Sequence, residues 1–136
     1  MSGPQALRIA GYAALFDLPD GARDTIVRGA FRRTLAEPRA EALPLYWQHR
    51  PEQRIGTVER IAEDRRGLRV VARIDNPDSR AVRALLAQQV NGLSFGYRAR
   101  GYRHLPQGRL LEDIDLFEVS LVTHPLQHGA RVHLVR

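Results

Sequence analysis

Short runs with a period of two, each cut off by turn-forming residues, constrain this chain more than any other feature. Residues 7–16 alternate as a strand does, and the turn-formers of 17–21, Pro19 and Asp20 among them, break the run. A short extended piece follows at 25–27. Residues 43–47 form an apolar strand that ends at Gln48-His49-Arg50-Pro51. Residues 54–62 read as another, with Ile55, Thr57, Glu59 and Ile61 sharing a face. Asp64-Arg65-Arg66-Gly67 is a hairpin turn signal, and 68–74 is the return strand. Residues 93–104 make a long strand. The chain turns at 105–108, and 109–123 returns antiparallel with a break near Glu112-Asp113. Pro125 stops that strand, and 132–135 is a last short one.

Two segments carry the helical period instead. Phe31, Thr34 and Leu35 fall on one side of a short helix that Pro38 ends. Asn76-Pro77-Asp78-Ser79 opens a second, with Val82, Leu85, Leu86 and Val90 as its buried stripe and Asn91-Gly92 as its close. About seven strands in hairpins with two inserted helices predict a strand-dominated α+β fold, an antiparallel β-barrel with flanking helices. At 136 residues, 43% of them apolar, the expected organisation is a single domain spanning 1–136.

Composition narrows the chemistry. Cysteine is absent, which excludes disulfides and thiolate metal sites. Residues 1–5 show no basic start followed by an apolar stretch, so no signal peptide is expected, and no apolar run reaches membrane-spanning length. The formal charge is +6, and every basic residue is arginine. The arginines are dispersed and often sit beside acids, as in Glu63-Asp64-Arg65-Arg66, so they read as composition rather than as a nucleic-acid surface. Trp47, Tyr97 and Tyr102 could stack on bases, but they fit core and hairpin positions equally well.

One strand holds a serine between glycines: Gly92-Leu93-Ser94-Phe95-Gly96-Tyr97. Alternation sends Leu93, Phe95 and Tyr97 to one face and Ser94, Gly96 and Arg98 to the other. A serine hydroxyl is a weak nucleophile that needs a base, and the base needs a third group to fix its tautomer. His49, at a strand end, and Glu118, in Leu116-Phe117-Glu118-Val119-Ser120, can be read with Ser94 as one such site. In that run Phe117, Val119 and Leu121 are expected on the core face, with Glu118 and Ser120 opposite. Taken singly, each has an ordinary reading: a structural strand serine, a loop histidine, a solvated carboxylate. His124, His128 and His133 raise a zinc site, but Pro125 and Gly129 break the helix that would align the first two.

Several segments together resemble the prohead proteases of tailed phages, the HK97-like maturation proteases. They are Gly11-Tyr12-Ala13-Ala14-Leu15-Phe16, Arg28-Gly29-Ala30-Phe31, Leu45-Tyr46-Trp47-Gln48-His49 followed by Ile55-Gly56-Thr57-Val58, Gly67-Leu68, the Gly-Leu-Ser strand, and Asp115-Leu116-Phe117-Glu118-Val119-Ser120-Leu121-Val122-Thr123-His124-Pro125. The resemblance matches His49, Ser94 and Glu118 to that family's catalytic histidine, serine and acid. It implies a fold similar to the herpesvirus assembly proteases, a β-barrel with flanking helices that uses serine, histidine and a second histidine. His124 and Asp115 therefore compete with Glu118 for the third role.

What the resemblance implies is a serine endopeptidase that cleaves the major capsid protein or its scaffolding segment, needs no cofactor or metal, and works inside the assembling procapsid in the bacterial cytoplasm. Self-association into a homo-oligomer is compatible with it; a membrane or nucleic-acid partner is not expected. The contrasting reading is a non-catalytic assembly module of the same fold. Family members often carry a C-terminal extension, so this chain is read as a compact form, as in a gene transfer agent or prophage, or as one whose tail was removed.

Overall fold

The turn-formers divide the chain into eight strands and two helices among the described residues. In order they are β1 (Leu7–Leu15), β2 (Asp24–Ile26), α1 (Arg32–Ala36), β3 (Pro44–Trp47), β4 (Arg50–Glu63), β5 (Gly67–Ile74), α2 (Arg80–Leu86), β6 (Gly92–Leu105), β7 (Gly108–Val122) and β8 (Val132–Val135). The structure is a computed structural model that describes residues 7–136; residues 1–5, where no signal peptide is expected, lie outside them.

Strand β7 is the hub. One edge pairs antiparallel with β6 from Gly92↔Val122 to Leu105↔Gly108. The other edge takes two parallel partners, β2 at its start (Ile26↔Leu111) and β3 near its end (Leu45↔Val119, Trp47↔Leu121). From β3 the sheet continues antiparallel through β4, β5 and β1 to β8. Between β6 and β8 the regular ladder stops. An isolated Gly92–Arg131 bridge spans the gap, flanked by Leu93 N–H to Ala130 O at 2.9 Å and Val132 N–H to Asn91 O at 2.8 Å. The fold is strand-dominated α+β, as expected, but its regular pairing is open. The parallel β2 and β3 pairings also depart from the purely hairpin pattern.

The core gathers the inward faces of these strands. Leu45, Leu68, Ile74, Leu93, Leu111 and Leu121 are fully buried, and Phe31 meets Phe95 edge-on with ring centroids 5.4 Å apart. Burying such a side chain is worth about 1.5–3 kcal/mol. A one-residue slip of β6 on β7 would turn Leu93 and Phe95 out of this core, so their burial fixes the register that aligns the site.

Four local expectations are corrected. Gly96 pairs with Glu118 but Tyr97 with Leu116, which makes Phe117 the extra residue of a β-bulge. Phe117 is therefore 54% exposed, not in the core, while Leu116 and Val119 on either side are buried. A second bulge, between Val58 and Arg60, interrupts the alternation of β4, so Ile55, Thr57, Glu59 and Ile61 do not share one face; its buried residues are Gly56 and Val58. Helix α2 is capped by Ser79, whose hydroxyl accepts from Val82 N–H, and it ends at Leu86. Leu86 is 62% exposed instead of in the stripe. Finally, β7 does not break at Glu112-Asp113; β6 and β7 absorb the irregularity there as register shifts.

Helix α1 braces β7 just below the Phe117 bulge. Thr34 Oγ1 accepts from Leu116 N–H at 3.1 Å, and Arg33 reaches Asp115 at 2.6 Å and Asp113 at 3.0 Å. The loop into α1 is held by Glu63 at the end of β4, which accepts from Gly29 and Phe31 N–H. Asp24 of β2 ties the start of β7 in place by accepting from both Arg109 Nε and Nη2, and this bonding holds its carboxyl below the usual carboxylate range.

Candidate active site

The β3–β4 connection is a two-residue loop, because Trp47 pairs with Arg50 across it. Gln48 and His49 both have positive φ, 53° and 62°. Tight hairpins require that backbone, but side chains other than glycine or asparagine adopt it at some cost. Hydrogen bonds to the end of β7 hold it. Gln48 N–H donates to Leu121 O at 3.0 Å, Gln48 Nε2 donates to Thr123 Oγ1 at 2.6 Å, and Thr123 N–H returns a bond to Gln48 Oε1. The turn is thus Gln48-His49; Arg50-Pro51, expected to form it, already belong to β4.

The loop presents the His49 ring to β7. His49 Nδ1 lies 2.6 Å from Glu118 Oε1. Glu118 is an acceptor, so the ring's Nδ1 carries the proton and Nε2 is left as the acceptor. The His49 side chain is 44% exposed and the Glu118 side chain 9%. The second carboxylate oxygen, Oε2, accepts from Ser120 Oγ at 2.5 Å, and Ser120 Oγ itself accepts from His49 N–H at 3.1 Å. Three hydrogen bonds therefore close a small ring through the His49 backbone, its imidazole, Glu118 and Ser120.

Ser94 lies opposite Ser120 in the β6–β7 ladder, two residues from Gly96, which lies opposite Glu118. Directly opposite side chains stand about 5 Å apart at Cβ, so Ser94 borders the His49–Glu118 pair. It is 5% exposed, and its hydroxyl has no hydrogen-bond partner among the described residues yet is not fully enclosed. No hydrogen bond joins Ser94 to His49; the contacts of His49 are to Glu118 and Ser120.

The competitors for the third position sit elsewhere. Asp115 bonds Arg33 at 2.6 Å and Arg98 at 3.0 Å, with Arg100 at 3.5 Å, and the Arg33 bond above all keeps its carboxyl below the usual range. His124 is exposed beyond the end of β7. Among the described residues no group of three or more His, Cys, Asp or Glu side chains is placed to hold a metal ion.

Gly96 explains how a glutamate can lie over β6. A Cβ built on Gly96 would overlap Glu118 Oε1 and crowd its Cδ and Cγ. The glycine makes room for the acid. Gly96→Ala is expected to push Glu118 aside while the strands stay paired, since the obstacle is the far end of a side chain. NMR should then lose the downfield Nδ1 proton signal of a carboxylate-bound imidazole, with the melting temperature changing by only a few degrees. An unchanged signal would show that Glu118 has room to spare. Ser120 is the site residue that sequence reasoning missed; its sharing a face with Glu118 was the available signal.

Comparison with known proteins joins this geometry to a family. The model for Caudovirus prohead serine protease matches residues 2–136. The prohead protease of Enterobacteria phage HK97 is 31% identical over 129 residues, which cover 90% of this chain and 57% of that protein. The chain thus spans little more than half the length of this curated relative. Among solved structures, the bacteriophage T4 capsid assembly protease superposes with a TM-score of 0.70 at 12% identity, over 86% of this chain and 81% of that one. The Kaposi's sarcoma-associated herpesvirus protease gives 0.63 at 19% (97% and 65% covered), and the varicella-zoster virus protease 0.62 at 21% (94% and 63%). These likenesses carry the fold alone, whereas the family match runs through the Gly-Leu-Ser strand, the histidine loop and β7 together: the chain belongs to the Caudovirus prohead serine proteases.

Proposed function

We propose that this chain is a serine endopeptidase that cleaves the major capsid protein or its scaffolding segment during head maturation. Ser94 Oγ attacks the scissile carbonyl, and His49 Nε2 takes its proton. The same proton goes to the leaving amine as the C–N bond breaks. Water then attacks the acyl-serine, His49 accepts its proton, and His49 passes that proton to Ser94 Oγ as the acyl C–O bond breaks. Glu118 holds the Nδ1–H tautomer and stabilises the imidazolium. The observation that carries this reading is the 2.6 Å His49–Glu118 contact beside a serine hydroxyl with no other partner. The 1–136 chain acts as one domain, a barrel sealed at the β6–β8 bridge, in the cytoplasm of the bacterial host inside the procapsid. Among the described residues no helix is long and apolar enough to cross a membrane.

The test is co-expression with the capsid protein, followed by its intact mass. Cleavage that disappears with Ser94 supports the reading; a capsid mass that never changes defeats it. The third member is tested by Glu118→Gln, which keeps the size and removes the charge. It should slow cleavage by about 10⁴-fold. Asp115→Asn and His124→Ala should stay within a few-fold of wild type, because neither touches His49. If His124→Ala is the crippled variant, Glu118 is not the orienting group.

A further inference from the structure

We infer that Ser120 is a positioning residue for the site, a fourth member that aims both the acid and the histidine. The inference rests on the serine-protease reading above and deepens it.

Ser120 is completely buried, yet its hydroxyl makes two bonds with opposite roles. It donates to Glu118 Oε2 at 2.5 Å and accepts from His49 N–H at 3.1 Å. A buried carboxylate with one oxygen on an imidazole still needs a donor for the other. Among the described residues the Ser120 hydroxyl is the donor recorded for Oε2. This bond fixes the carboxylate's rotation, so that Oε1 stays on Nδ1.

The accepted bond acts on the histidine. At φ 62° the His49 backbone is in the left-handed region, and its N–H faces the Ser120 side chain. Ser120 Oγ takes that N–H and so helps hold the loop. Tyr46 of β3 and Ser94 of β6 flank Ser120 on either side, so it lies where the three strands that carry the site meet. An alanine there would pack equally well but would leave Oε2 and the His49 N–H without their partner.

Losing the donor should make Glu118 hold the imidazolium more tightly. The base would then be idle over a wider acidic range, and the acid limb of the pH profile should move to higher pH. The other charged groups around the pair are not placed to produce this. Arg50 follows His49 and forms no ion pair among the described residues; Arg98 and Asp115 are bonded to each other further along β6 and β7; Tyr46 lies across β3 from Ser120; His124 is exposed beyond Thr123.

The readout is the rate at which a fluorophosphonate probe labels Ser94 in the full chain, measured against pH and located by mass spectrometry. Ser120→Ala should label about tenfold more slowly, the scale of one hydrogen bond to a charged group. Its acid limb should rise by about half a pH unit. Ser120→Thr, which keeps the hydroxyl, should recover most of the rate and the profile. In a Glu118→Gln background Ser120→Ala should add little, since the two act through one contact. Wild-type rate and profile in a folded Ser120→Ala, or full additivity with Glu118→Gln, would overturn the positioning role alone. A wild-type chain that is never labelled at Ser94 would overturn the protease reading, and this inference with it.

Discussion

Ser94→Ala is expected to abolish capsid-protein cleavage and leave the fold untouched. Stability should barely change, because the hydroxyl makes no hydrogen bond among the described residues. Neighbouring Leu93 and Phe95 keep their places in the core, and alanine fits a buried strand position. The effect on rate should be far larger. Removing the nucleophile of such a triad costs about 10⁶-fold, and what remains comes from substrate binding and oxyanion stabilisation. Co-expression with the capsid protein would then yield only the full-length mass, while circular dichroism and the melting temperature match wild type. Normal processing by a well-folded Ser94→Ala chain would end the nucleophile assignment.

Much of the fold was legible because it is local. Period-two runs gave away the strands, and Asp64 forms the hairpin its sequence announces, its carboxylate accepting from Arg66 and Gly67 N–H. The errors are non-local. A bulge depends on how two strands pair, so nothing in Leu116-Phe117-Glu118 itself shows that Phe117 is the unpaired residue. That one insertion turns Phe117 outward and lets Glu118 and Val119 keep opposite faces. Likewise β2 and β3 reach β7 as parallel partners across more than seventy residues, and no turn signal encodes that. The start of α2 misled for a different reason: Asn76 does accept a bond, but from Asp78 N–H, before the cap at Ser79 from which the helix runs.

At the site, residue types were more legible than their support. Taken singly, His49, Ser94 and Glu118 are ordinary residues; the resemblance of their surrounding motifs to the phage family singled them out. That His49 and Glu118 meet at 2.6 Å follows from β3 lying along β7, which is a property of the sheet. That the missing side chain of Gly96 accommodates Glu118 likewise follows from the pairing of β6 with β7. Ser120 was placed on the face of Glu118 but given no role, because a strand serine there is ordinary until its two partners are known.

His49→Ala should be as damaging as Ser94→Ala, and the double variant no worse than either. Without the base, Ser94 keeps its proton at neutral pH and attacks poorly. Without the nucleophile, the base has nothing to activate. Groups that act as one unit lose their effect together, so each single change should cost about 10⁶-fold and the pair about the same. Stability separates this variant from Ser94→Ala. Removing the imidazole leaves Glu118 largely buried with Ser120 as its one remaining partner among the described residues, a loss worth about 1–3 kcal/mol. The positive φ at residue 49 remains unfavourable for alanine as well, so the loop gains nothing in return. His49→Ala should therefore melt several degrees below wild type, while Ser94→Ala does not. Initial rates on purified capsid protein, together with melting curves for the two singles and the double, decide the matter. A double variant slower than both singles by orders of magnitude would mean that Ser94 and His49 work independently, and that the base activating Ser94 is some other residue.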